Sequence, residues 1–299
     1  MSVKFGPGGN SQSFYDKGYK STLQAPEYIK NMGLDAYEYE AGNGLNASMA
    51  TLTAIGEKAR EYGVSMSLHT PYFISLSSVG EDKRLKSVEY LRKSGAGADA
   101  LGADIMVVHT GSAAKISRRQ AMEYAAQTLV LVDIMLAEDN LRVKVGLETM
   151  GKVNQLGTLD EVIELCKLSK RFAPVVDFGH INAREQGALR TTDDFKYLFD
   201  RISKELGGEY ADNLHCHFSK IEYTGMGEKK HLTFKDEVFG PSPELLAEAI
   251  ISLGVSPTII CESDGTMAED ALELKEIYNE YNKHKKKEEK QNRQEQSKA

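Results

Sequence analysis

No apolar run in this 299-residue chain approaches the roughly 20 residues that a bilayer-spanning helix needs. The first residues, Met1-Ser2-Val3-Lys4-Phe5, lack the long apolar stretch of a secretory signal, so export is not expected. Cysteine is scarce. Cys166, Cys216 and Cys261 are an odd count without metal-type spacing, and the expected compartment is a reducing cytoplasm. Positive charge is short as well. The formal charge is −7, and residues 283–299 alone carry seven Lys/Arg against three Glu, leaving −11 on the rest. That argues against a surface coating DNA by charge alone. It leaves open a nucleic-acid enzyme, because buried acidic metal ligands raise the negative count until cations neutralise them.

What is present is a regular alternation. Short β-type runs fall at Val3–Phe5, Ala36–Glu40, Ser65–His69, Ile105–His109, Lys144–Glu148, Pro174–Asp177, Asn213–His217 and Thr258–Glu262. Between them lie helical patterns at Ala25–Met32, Met49–Tyr62, Asp82–Leu101, Ser117–Leu136, Leu159–Leu168, Thr192–Leu206 and Pro243–Leu253, with Leu272–Tyr281 closing the series. Thr158-Leu159-Asp160-Glu161 opens a capping box, and Gly33, Gly63, Gly102 and Gly254 sit where helices end and strands follow. Eight near-equal βα units without a break favour a single-domain (β/α)8 TIM barrel over residues 1–282, rather than an open doubly wound sheet. Residues 283–299, apolar only at the final alanine, read as a charged, disordered or frayed tail.

The strand ends carry the chemistry. Strands three to eight finish, after apolar runs, in His69, His109, Glu148, Asp177 with His180, His215 with His217, and Glu262. Any one could be a capped strand or a satisfied core histidine. Six in a row differ, because barrel closure brings those ends into one ring. Six of the seven histidines lie on these ends or in the loop after strand seven; only His284 does not. Without metal the ring would hold mutually repelling carboxylates, so two or three divalent ions are implied, zinc first, with manganese or iron as alternatives. His215 and His217 are two apart and point the same way on a strand, so one could be a ligand and the other its support. The loop after strand seven adds Glu228 and His231, while Lys220, Lys229 and Lys230 give the mouth positive charge for phosphate.

His69-x-x-Tyr72, His109-Thr-Gly, Glu148-Thr-Met-Gly-Lys-Val-Asn-Gln-Leu-Gly157, Asp177-x-x-His180, His215-x4-Lys220, His231 and Glu262 together resemble endonuclease IV. That family comprises metal-dependent apurinic/apyrimidinic endonucleases on a xylose-isomerase-like barrel, and the resemblance spans about residues 1–282. It implies three zinc sites: His69, His109 and Glu148; Glu148, Asp177, His215 and Glu262; His180 and His231. The family's histidine-to-lysine spacing selects His215 over His217. Where the family carries an aspartate two residues before the loop histidine, this chain has Lys229, and Glu228 is the substitute at hand. Where the family carries Arg and Gln in the loop after strand two, residues 41–47 hold no basic side chain, leaving Tyr72 and Phe73 as minor-groove wedges. The resemblance implies a monomeric hydrolase that cleaves damaged duplex DNA 5′ to abasic sites, with Glu148 and Glu262 catalytic. The competing expectation is a sugar isomerase or epimerase, which needs only Glu148, Asp177, His215 and Glu262.

Overall fold

The structure, a computed structural model, describes residues 2–296. Eight strands form one all-parallel sheet: β1 (Lys4–Pro7), β2 (Ala36–Glu40), β3 (Ser65–His69), β4 (Ile105–His109), β5 (Lys144–Glu148), β6 (Phe172–Asp177), β7 (His215–Phe218) and β10 (Thr258–Cys261). Between β7 and β10 lies a hairpin of β8 (Ile221–Thr224) and β9 (Gly227–His231). The sheet order β1-β10-β7-β6-β5-β4-β3-β2 closes into a barrel where Gly8 bridges to Glu38 and the Asp35 amide donates to Phe5 O at 2.9 Å. Closure there requires glycine, since a Cβ on Gly6 would lie 1.8 Å from Ala36 O.

The helices α1 (Gln12–Asp16), α2 (Ala25–Asn31), α3 (Met49–Tyr62), α4 (Glu81–Leu101), α5 (Arg118–Glu138), α6 (Leu159–Cys166), α7 (Phe178–Arg184), α8 (Thr192–Leu206), α9 (Gly208–Asp212), α10 (Pro243–Leu253) and α11 (Met267–Gln296) follow in chain order. Their ends follow local chemistry. Ser48, Ser117 and Ser242 each accept a backbone N–H of the first turn, and Thr158 with Glu161 forms the expected capping box. Gly63, Gly102 and Gly254 stop α3, α4 and α10 in the left-handed conformation.

Strand alternation divides the interior in two. Met106, Val108, Val145, Leu147, Val176, Cys216 and Ile259 point outward and pack under the helices in the main core. Ile105, Val107, Ala173 and Val175 form a separate small cluster facing the lumen. Each fully buried aliphatic side chain contributes about 1.5–3 kcal/mol, so the outward layer carries most of the fold's stability and leaves the lumen for polar residues.

The expected frayed tail is helix as far as the described residues reach. α11 continues through residues 283–296, whereas residues 297–299 lie outside the described residues. A physical anchor is visible: Lys285 Nζ donates to Ile251 O at 2.7 Å, a cation on a carbonyl near the C-terminus of α10.

Candidate metal centre

The parity that sends Val108 and Leu147 outward sends the even- or odd-numbered neighbours of each strand inward. Glu38 and Glu40 of β2, His69 of β3, His109 of β4, Glu148 of β5, Asp177 of β6, His215 and His217 of β7 and Glu262 just past β10 all fall on the lumen side. Height along the barrel is then set by register. His109 stands beside Glu148, and Asp177 beside His217; His215 stands lower, beside Val175 and Thr258.

The result is one cluster around Glu148, which is buried. Its Oε2 faces His69 Nε2 at 3.4 Å and His109 Nε2 at 3.3 Å, and its Oε1 faces His217 Nδ1 at 3.1 Å and His180 Nδ1 at 3.4 Å. Glu148, Asp177, His217 and Glu262 converge, and His69 joins Glu148 and His217. This corrects the choice made from spacing to lysine. It is His217 that lies in the ring, while His215 sits one layer deeper, its Nε2 2.9 Å from Glu38 Oε2. Register decides this, and register is invisible in a two-residue alternation.

A third group forms at the rim. His180 Nε2 lies 3.5 Å and His231 Nε2 3.9 Å from the Glu228 carboxylate. Asp177 caps α7, its Oδ1 accepting the His180 amide at 2.7 Å, which fixes His180 in the first turn of that helix. The hairpin docks on the loop after β5, with the Glu228 amide donating to Gly151 O at 3.0 Å. Gly151 leaves room for this approach; a Cβ there would stand 2.6 Å from Glu228 Cβ and 2.9 Å from His180 Cδ2. That loop is itself pinned. Arg184 donates to the carbonyls of Met150, Lys152, Val153 and Gln155, and Arg118 to those of Val153 and Gln155.

The donor set suits divalent metal ions. His69 Nδ1 meets Thr70 O at 3.0 Å, His180 Nδ1 meets Thr149 O at 2.9 Å, and His231 Nδ1 meets Ser219 Oγ at 2.9 Å. With Nδ1 so occupied, His69 turns Nε2 to Glu148, and His180 and His231 turn Nε2 to Glu228, the arrangement by which metal-bound histidines are oriented. Asp177 Oδ2 is buried without a hydrogen-bond partner and faces the same space.

Electrostatics agree. Burial pushes Glu262 up to about 8, with repulsion from Glu148 and Asp177 adding to it against the pull of His217. Burial likewise raises Glu40 to about 7. Burial alone would lower His69, but Glu40 and Glu148 raise it to about 10. Glu148 is held well below the usual range despite burial, because four imidazoles bond to it. The cluster is a set of carboxylates short of cations.

The remaining expected residues divide. Tyr72 and Phe73 stand at the rim, 60% and 44% exposed, in contact with each other and, through Phe73, with Tyr90. Lys220 does not face the opening. Its ammonium donates to the carbonyls of Phe234 and Asp236, tying down the segment after the hairpin. Lys229 and Lys230 are paired with Glu222 and Asp264. The cleft over the ring, about 250 Å³, takes instead Lys152 and Gln155 from the pinned loop. Glu38 and Glu40 were missed from sequence, although Tyr37-Glu38-Tyr39-Glu40 alternates acid and aromatic and ends strand two as the other strands end.

The family described as xylose isomerase-like TIM barrel matches residues 26–277, and the chain belongs to that family. An uncharacterised protein of Methanocaldococcus jannaschii is 29% identical over 260 residues, covering 86% of this chain and 92% of its own. A probable endonuclease 4 of Acholeplasma laidlawii is 28% identical over 226 residues, covering 72% of this chain and 74% of its own. Among solved structures, a D-tagatose 3-epimerase-like protein and endonuclease IV from Thermus thermophilus both superpose with a TM-score of 0.70. The epimerase-like protein is 21% identical over 95% of this chain and 99% of its own; the endonuclease is 18% identical over 94% and 99%. At those identities the two structures attest the fold alone.

Proposed function

We propose that this member of the xylose isomerase-like TIM-barrel family is a metal-dependent phosphodiester hydrolase that incises damaged duplex DNA 5′ to abasic sites. The observation that carries the reading is the rim group of His180, Glu228 and His231, joined to His69 and His109. The quartet Glu148, Asp177, His217 and Glu262 would serve either a hydrolase or an epimerase, but a one-metal epimerase has no use for the further imidazoles of His69, His109 and His231 and a fourth acid, Glu228. The relatives named as probable endonuclease 4 support the same choice.

His69, His109 and Glu148 would hold one zinc ion, Glu148, Asp177, His217 and Glu262 a second, and His180, Glu228 and His231 a third; manganese or iron would fit the same donors. Bound there, such ions supply Lewis acidity toward a phosphoryl oxygen and lower the pKa of water. Glu148 spans two of the groups, one oxygen facing each. Glu262, 18% exposed at the cleft and among the donors of the second group, is placed to orient the attacking water. Lys152 would meet phosphate, and Tyr72 and Phe73 would fill the space of a missing base, where extrusion costs least. In the cell such an enzyme would act in the cytoplasm on chromosomal damage.

One feature favours the second reading, a sugar epimerase. The loop after β2, residues 41–47, lacks any basic side chain to grip DNA. The test is direct: the zinc-reconstituted protein is incubated with a duplex bearing one tetrahydrofuran abasic analogue and, separately, with a ketose panel. A single nick 5′ to the analogue is expected. An intact duplex together with ketose turnover would replace the hydrolase with the epimerase.

A further inference from the structure

Below the ring, the lumen holds a second set of donors, of which the proposed reaction uses only His217. Glu38 reaches in from β2, while His215 and His217 reach in from β7 on the other side of the barrel. His215 Nε2 lies 2.9 Å from Glu38 Oε2, and His217 Nε2 lies 2.8 Å from Glu38 Oε1. All three side chains are buried. We infer that Glu38, His215 and His217 hold a structural divalent ion of the zinc class, in a site that shares only His217 with the ring above it.

Three observations converge on this. First, Glu38 Oε1 and His217 Nε2 both lack a hydrogen-bond partner although they are 2.8 Å apart. The two atoms are close but not aligned for a hydrogen bond, as two ligands of one ion would be. An unpartnered buried polar atom is costly, and here two such atoms face one another. Second, β4 and β6 fill the lumen near His215 with the apolar group Ile105, Val107, Ala173 and Val175, which is what fills most barrels of this type. A carboxylate and two imidazoles beside that group cost more than aliphatics would, unless a cation joins them. Third, two imidazoles and one carboxylate are a zinc donor set that leaves a fourth position for water. Water can reach it, because His215 also lines a cavity of about 500 Å³ at the opposite end of the barrel from the cleft.

His217 is the shared element. Its Nδ1 faces Glu148 and Glu262 in the ring, and its Nε2 faces Glu38. With ions on both nitrogens the imidazole has given up its one N–H proton, which leaves as a solvent proton when the second ion binds. The pair of histidines on β7 therefore has two jobs: His217 links the sites, and His215 belongs to the lower one.

The test reads metal rather than activity, so it is separate from the fate of the proposed reaction. Zinc is added to the purified full chain, excess is removed by dialysis, and bound metal is counted by native mass spectrometry. His215→Ala and His215→Asn, checked by circular dichroism, should each lose about one ion per chain relative to wild type. Glu228→Ala should lose a different one, so the combined variant loses both. Zinc-edge anomalous diffraction from wild-type crystals needs no variant and should show a peak between Glu38 and His215. Folded His215 variants with the wild-type count, or no anomalous peak at that position, would overturn the assignment. A protein with the peak that leaves abasic duplex uncut would refute only the hydrolase.

Discussion

Replacing Glu262 by glutamine separates the cost of the metal centre from its use. In the metal-free protein, burial and the neighbouring acids hold the Glu262 carboxyl at about 8, against 4.5 for the ordinary group. An acid with a raised folded pKa binds its proton more tightly folded than unfolded. Its effect on stability is therefore absent below about pH 4.5 and becomes a growing penalty as pH rises toward 8. At about 1.4 kcal/mol per pH unit the gap corresponds to an upper bound of roughly 5 kcal/mol. The 18% of the side chain open to the cleft lets water screen it, so an actual cost of about 2–3 kcal/mol is more reasonable. In the presence of a chelator, Glu262→Gln should thus match wild type at pH 5 and melt several degrees higher at pH 8, at about 2–4 °C per kcal/mol for a chain near this size. With zinc restored the order should reverse, since the glutamine cannot neutralise the ion, and incision should be abolished. Differential scanning fluorimetry at the two pH values reads the first part. If metal-free Glu262→Gln is no more stable than wild type at pH 8, the electrostatic account of this ring is wrong.

Two further predictions concern the frame around the ring. Gly151→Ala should push Glu228 away from His180 and remove about one zinc ion per chain, with activity falling about 10–100-fold while the helix content stays unchanged; an unaltered metal count would mean that the close approach is not what assembles the rim group. Lys220→Met should act on stability alone. Losing two charge-assisted hydrogen bonds to the carbonyls of Phe234 and Asp236 should lower the unfolding free energy by about 1–3 kcal/mol in a urea titration. KM for abasic duplex should not move, and a several-fold rise would return Lys220 to the phosphate-binding surface.

The eight strand positions, the caps and the closing acids and histidines follow from local rules, so the sequence alone determined the barrel and most of its ring. Short β-type runs named the strands, and the capping box at Thr158 named the start of α6. Polar residues after apolar runs marked where the carboxyl ends meet. β5 appears where expected, residue for residue, as do β2, β3 and β4. Where the local rules ran out, a distance across the barrel was at stake. Spacing to Lys220 pointed to His215, but the pairing of Asp177 with His217 lifts His217 into the ring and leaves His215 below it. Lys220 reads in sequence as a phosphate ligand, whereas its ammonium donates to two backbone carbonyls. Glu228 meets His180 only because the hairpin lies over it, an arrangement resting on the fit between Gly151 and Gly227, some 75 residues apart in the chain. Glu38 stayed hidden because a single acid in a strand has meaning only when the opposite wall is known. Alternation tells which face a side chain occupies; strand register and closure, set by contacts remote in sequence, decide its height and its partner.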